Sequence, residues 1–320
     1  MIDDITSYEE LLEHVDEYML YCHYLGYAPE LDMDYRSPVR GEDLNPSWGI
    51  FRSKYNKRRE FMWKDQGGDG QSGDIFKLVM LLYGYKDRFQ VLARIKGDFG
   101  LGKPISGERV VPLVVSSPKP SRNVDIRVKS RAVGRLDTNW WKGWGVSKEM
   151  LDLYHVTPIK HYFMFVDQIN PHVPKDPAYA YLVMGRYKLY FPFERKGQRF
   201  RQDMTERELE GFLQLTYTSP LLIITKSLKD IMMLRGMGYE AVSPRGEHTP
   251  IPPEFLNHFQ SRYTHIVTLF DNDGKHRKDY PYPELHVPAS SGTKDPTDFY
   301  KRYGAQETEA MLKSLTDGYR

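Results

Sequence analysis

The chain has 320 residues, 40% hydrophobic and 28% charged, enough to bury large cores in two or three domains. Its 45 Lys and Arg against 43 Asp and Glu leave a net charge of +2, which excludes a whole-molecule attraction to nucleic acid and restricts any such contact to local patches. A single cysteine, Cys22, excludes an intramolecular disulfide and a cysteine zinc site; no apolar run approaches the roughly 18 residues of a membrane span, and the acidic start MIDDITSYEE lacks a signal-peptide layout, so the expectation is a soluble cytoplasmic protein.

Residues 7–24 read as one amphipathic helix. Ser7 is its N-cap, Glu10 stands at the capping-box position, and Leu11, Leu12, Val15, Tyr18, Met19 and Cys22 fall at helical spacing. The turn-rich segment from Tyr35 to Phe51 runs into a strand, and Glu60 to Trp63 reads as its partner. Gln66 to Asp74 is a Gly-rich loop before a helix at Ile75 to Tyr83 that Asp74 caps. The loop lacks Walker A spacing. Arg36, Arg40, Arg52, Lys54, Lys57, Arg58, Arg59 and Lys64 are interleaved here with Trp48, Tyr55 and Trp63. Such a mixture suits single-stranded nucleic acid, by phosphate neutralisation and base stacking. The competing reading is a solvated hairpin tip over an aromatic core.

The segment 97–123 is rich in Gly, Pro and Ser and reads as a linker between residues 1–96 and the rest. In the block 124–218, Ser147 caps a helix that continues through Tyr154. Tyr187 to Phe193 reads as a strand, and a turn at Arg195 to Gln198 leads to Arg199-Phe200-Arg201. Arg199 and Arg201, two apart on a strand, are expected on one face. His155, His161 and His172 lack metal-ligand spacing and read as structural.

From 219 to 304 the pattern is strand, helix, strand, helix, strand. Leu221 to Thr225 is a buried-strand run, and Ser227 with Asp230 makes a capping pattern for a helix ended by Gly236 or Gly238. Tyr239 to Ser243 is a second strand, Pro252-Pro253 opens a second helix, and Ile266 to Phe270 is a third strand. This order implies a parallel sheet, whose ligands bind beyond the carboxyl ends of the strands. Asp271 and Asp273 fall there, turned the same way, as a Mg²⁺ site requires. A polar Asp-Asn-Asp-Gly turn is the alternative. A further acidic cluster, Lys294 to Asp298, follows, and residues 305–320 hold a short C-terminal helix.

Taken together these residues resemble the TOPRIM domain of bacterial-type (DnaG-like) primases, topoisomerases and some nucleases. Asp230, Asp271, Asp273, Asp295 and Asp298 match the acidic positions of that pattern, whereas Lys226 stands where the family has Glu. The earlier segments resemble the primases in the same order. Ser37 to Glu42 with Asn45 to Trp48, and Trp63 to Gly68 with Gly73 to Phe76, follow the two pieces of the primase zinc ribbon, with Ser37 and Arg40 where metal ligands would be. Trp140 to Glu149 resembles the segment that opens the polymerase core.

The resemblance implies a mixed α/β fold: a zinc-less, ribbon-like antiparallel domain, a linker, then a primase-type core with a Rossmann-like parallel sheet. It implies a DNA primase, a nucleotidyltransferase that makes short RNA primers on single-stranded DNA from nucleoside triphosphates. Asp271, Asp273, Asp230, Asp295 and Asp298 would hold Mg²⁺ or Mn²⁺, with no zinc. Asp271, Asp273, Asp230 and Lys226 would form the catalytic set, and Lys142, Arg186, Lys188, Arg199 and Arg201 would hold nucleotide phosphates and template. A replicative helicase is a candidate partner, and a compact chain of this kind looks phage-like, acting in the host cytoplasm. Lys226 keeps two alternatives open: a catalytically degenerate DNA-binding replication factor, and a TOPRIM nuclease. A protonated lysine cannot ligate a cation and cancels one carboxylate.

Overall fold

A computed structural model describes residues 5–40, 46–53, 56, 58–67, 70–101, 124–165, 168–246, 249–272 and 280–319. The chain divides into two units, residues 1–119 with 216–218, and residues 120–215 with 219–320.

In the first unit α1 (Tyr8–Leu12) and α2 (Glu17–Leu25) replace the single helix expected over 7–24. Ser7 and Glu10 form the capping box as the sequence implies, but Asp16 caps a second start, its carboxylate accepting Met19 N–H at 3.0 Å. The second helix is not amphipathic: Met19 to Leu25 are all buried. An antiparallel sheet follows, β1 (Trp48–Arg52), β2 (Phe61–Asp65) and β3 (Ser72–Gly73), and then α3 (Ile75–Tyr83), capped by Asp74 as expected, and α4 (Arg88–Asp98). The last helix was not foreseen, and its end overlaps the expected start of the linker; residues 102–123 lie outside the described residues. Trp48 and Trp63 face each other across β1 and β2 with ring centroids 6.1 Å apart, both fully buried. Tyr8 stacks on Phe76 at 3.8 Å. Phe99 stacks on Tyr217 at 5.5 Å, which accounts for residues 216–218 counting with this unit.

The second unit carries two sheets. The first is antiparallel, in sequential order: β4 (Val124–Ser130), β5 (Val156–Phe165), β6 (Tyr179–Val183), β7 (Arg186–Tyr190) and β8 (Phe200–Gln202). Helices α5 (Arg135–Lys142) and α6 (Lys148–Leu153) lie between its first two strands in sequence, and Ser147 caps α6 as expected. One face of the sheet buries Ile126, Ile159, Tyr162, Ala180, Leu189 and Phe191. Asp203 ties strands that are not sheet neighbours: its carboxylate accepts Ile126 N–H at 3.1 Å and Tyr187 N–H at 2.7 Å.

The second sheet is parallel throughout, in the order β10-β9-β11-β12. Its elements are β9 (Leu221–Ile224), α7 (Leu228–Gly236), β10 (Glu240–Val242), α8 (Pro253–Arg262), β11 (His265–Leu269) and β12 (Glu284–Leu285). The strand-helix alternation read from the sequence is therefore present. Every residue of β9 is buried, as a central strand covered on both faces requires. The edge strand β12 had no sequence signal: two residues are too few for a pattern. Helices α9 (Pro296–Tyr303) and α10 (Ala305–Thr316) close the chain. A bridge ties the segment after β8 to the residue after β10, where Glu210 and Ser243 exchange backbone hydrogen bonds of 2.9 and 3.0 Å. The fold is thus mixed α/β with a parallel sheet.

Candidate active site

The carboxyl ends of β10, β9 and β11 deliver Arg245, Lys226 and Asp271 to one groove of about 820 Å³. The facing wall is the antiparallel sheet. Tyr181, Lys188 and Gln202 are cross-strand partners in one row, and Tyr190 and Phe200 pair in the next. Phe193 and Phe200 are 56% and 46% exposed, and the Phe200 ring stacks on Tyr190 with centroids 5.0 Å apart. Eight Lys or Arg line the groove against three Asp.

At its acidic end the charges are paired in a definite way. Lys226 Nζ lies 3.0 Å from Asp295 Oδ2 and forms an ion pair with Asp271 Oδ1. The other Asp295 oxygen accepts Asp298 N–H at 2.6 Å, because Asp295 is the N-cap of α9. Asp230 sits behind this pair, wholly buried; Ser227 Oγ is 2.6 Å from one of its oxygens and Thr297 Oγ1 is 2.8 Å from the other. Thr297 Oγ1 is also 2.8 Å from Asp295 Oδ1. A hydroxyl has one proton to give, so Asp230 and Asp295 compete for it. Burial and then the Asp295 charge push Asp230 up to about 6. Burial opposes the charge on Lys226, but Asp230, Asp295 and Asp271 outweigh it and hold the ammonium protonated. Burial likewise opposes Asp295, and Lys226 and Lys229 overcome it, keeping Asp295 ionised.

The described carboxylates do not fit a resident divalent ion. Mg²⁺ takes near-octahedral oxygen ligation. The gap between Asp271 and Asp295 holds Lys226 Nζ, and both oxygens of Asp230 and of Asp295 are engaged. Among the described residues no group of three His, Cys, Asp or Glu is placed to hold a metal. Asp273 lies outside the described residues. Asp298 lines the groove.

The basic residues expected here are dispersed. Lys188 and Arg199 line the groove, but Lys188 is ion-paired to buried Glu210 at 2.9 Å. Arg186 is buried outside it, and Lys142 is exposed outside it. Arg201 does not share the lining with Arg199: its guanidinium lies 4.0 Å over the Phe191 ring, because Arg199 precedes β8 while Arg201 belongs to it. Sequence reasoning missed Lys229 and Lys301, whose ammonium groups lie 3.7 and 4.2 Å from the Trp144 ring centre. A Trp among Lys and Gly carries no signal of which helices it meets. Gly145 makes the arrangement possible: it adopts φ +75°, and a Cβ there would come within 2.9 Å of Tyr300 and 3.0 Å of Met233.

In the first unit the expected DNA-binding set is largely committed elsewhere. Trp63 cannot stack on a base: it is fully buried and its Nε1 donates to Asp74 O at 2.8 Å. Arg59 is buried too, 3.0 Å from Asp74 and 4.8 Å over Phe76. Arg52 pairs with Glu60, and Arg40 grips Asp65 with both prongs, at 2.8 and 3.0 Å. Arg36, Arg58 and Lys64 are exposed; Lys54 and Lys57 lie outside the described residues.

No family model and no curated protein matches the chain. Solved structures that resemble it include primases. The Aquifex aeolicus primase, with its zinc-binding and RNA polymerase domains, is 15% identical over 98% of this chain and 85% of that one, at a TM-score of 0.46. A DnaG primase catalytic domain bound to single-stranded DNA is 12% identical over 57% and 75%, at 0.42. The primase fragment of the bacteriophage T7 primase-helicase is 12% identical over 67% and 84%, at 0.36.

Proposed function

We propose that the chain is a DNA primase of the bacterial type, whose groove in the second unit holds a single-stranded template and the triphosphate of an incoming nucleotide. One observation carries this reading: the part-exposed rings of Phe193 and Phe200, the latter stacked on Tyr190, share a groove with Arg199, Lys229, Lys294 and Lys301, at the carboxyl ends of parallel strands. Bases stack on such faces whatever their sequence, while the cations neutralise phosphates. Transfer of a nucleotidyl group is mostly positioning and charge stabilisation, for which this charge layout is suited.

A second reading, a replication factor that binds without catalysis, is favoured by the pairing of Lys226 with Asp271 and Asp295, which occupies one oxygen of each carboxylate. One assay separates them. The protein is incubated with single-stranded DNA, labelled nucleoside triphosphates and Mg²⁺ or Mn²⁺. Short oligomers that disappear in Asp271→Ala support the primase. DNA retention without product supports the binding factor, and shortened DNA a nuclease.

A further inference from the structure

We propose that the Lys226 ammonium takes the place of a divalent cation between Asp271 and Asp295, so that the unaltered protein binds neither Mg²⁺ nor Mn²⁺ in that gap. The geometry points there from three sides. Nζ reaches both carboxylates, and the Lys226 side chain is 16% exposed, so the ammonium is held inside the cluster rather than resting on its surface. Asp295 is fixed by α9: its second oxygen caps the helix and so cannot turn toward an ion. Asp230, the acid behind the pair, is held by Ser227 and Thr297 and does not line the groove. A second cation beside Nζ would meet repulsion at close range, in surroundings that screen it poorly. The carboxylates are therefore counter-charged from within the chain. The inference rests on these ion pairs and not on the nucleotide reading, so the two can fail separately.

The test is calorimetric titration of the full chain with MnCl₂, without nucleotide or DNA. Lys226→Ala is expected to gain a Mn²⁺ site at least about tenfold tighter than any in the unaltered protein, since two facing carboxylates lose the ammonium between them. Adding Asp295→Asn to Lys226→Ala should remove the gain. Equal Mn²⁺ affinity in Lys226→Ala and the unaltered protein, or a gain that survives Asp295→Asn, overturns the proposal. Should Lys226→Ala fail to fold, Asp295→Asn alone still decides. Unchanged Mn²⁺ binding supports the proposal, and weakened binding overturns it by making Asp295 a ligand in the unaltered protein.

Discussion

Two basic residues stand where the sequence resemblance places metal chemistry, Arg40 in the first unit and Lys226 in the second, and each clamps aspartate. Their surroundings differ. Asp65, Arg40's partner, is 1% exposed and surrounded by donors: both guanidinium prongs, Ser47 Oγ at 3.1 Å and Gly67 N–H at 3.0 Å. Burial works against its ionisation, but Ser37, Arg40, Gly67 and Ser47 overcome it and hold the carboxyl below its ordinary range. Gly67 belongs to the device, since a Cβ there would collide with the guanidinium. Lys226 is a single ammonium shared among three acids, Asp230, Asp271 and Asp295, at the end of a groove. A planar fork matched to one carboxylate makes a closed staple. A point charge shared among several leaves a site whose balance a ligand can still alter.

Breaking the staple should have the largest effect. Asp65→Ala removes both carboxylate contacts of a part-buried guanidinium and the acceptor of Ser47 Oγ, and is expected to lose about 3 kcal/mol of stability in urea unfolding. Because the staple is built from protein groups, a chelator should leave the unfolding midpoint of the unaltered chain in place; a fall would show that a metal holds these turns.

On the groove side, Phe200→Ala should weaken binding to a short single strand by about tenfold, the worth of one stacked base, read by fluorescence anisotropy. Gly145→Ala forces a side chain into the left-handed region against Tyr300 and Met233, and is expected to cost about 1–2 kcal/mol of stability. Lys301→Ala should reduce the slope of log affinity against log salt by about 0.7, the share of one phosphate contact on a single strand.

The gentlest test is a titration, and it again sets the units side by side. Burial raises Glu17 in the first unit to about 7 and Asp203 in the second to about 6, in spite of the backbone N–H groups each accepts. A carboxyl with a raised folded pKa favours folding below its unfolded pKa, and that contribution is lost as pH rises through the folded value. Stability should therefore decline between about pH 4 and 6 from Asp203 and between about 4.5 and 7 from Glu17. Asp203→Asn and Glu17→Gln should each flatten its own window; an unchanged profile would show that these groups ionise without hindrance.

Much of the fold was legible because its signals are local. The caps at Ser7, Asp74, Ser147 and Ser227 each join a side chain to an N–H three residues on. The break at Asp16 was equally local, and was missed because apolar spacing ran through it. The cluster from Asp295 to Asp298 carried two messages at once: an acid before Pro with another acid at the third helical position starts a helix as readily as it marks a site, and α9 begins there. The DNA-binding set was misjudged where aromatic and basic types alone were read, since Trp63 and Arg59 alternate with exposed neighbours and point inward.

By itself the sequence determined the run of strands and helices, the parallel sheet they build, and the arrival of Asp271 at the end of its third strand, since hydrogen bonds within a few residues and the period of burial settle these. Only the tertiary structure decided where the charges go. Lys226 meets Asp295 across sixty-nine residues of chain, and Trp144 meets Lys229 and Lys301 from three separate segments. Electrostatic partners are chosen by proximity after folding, and no spacing along the chain encodes that choice.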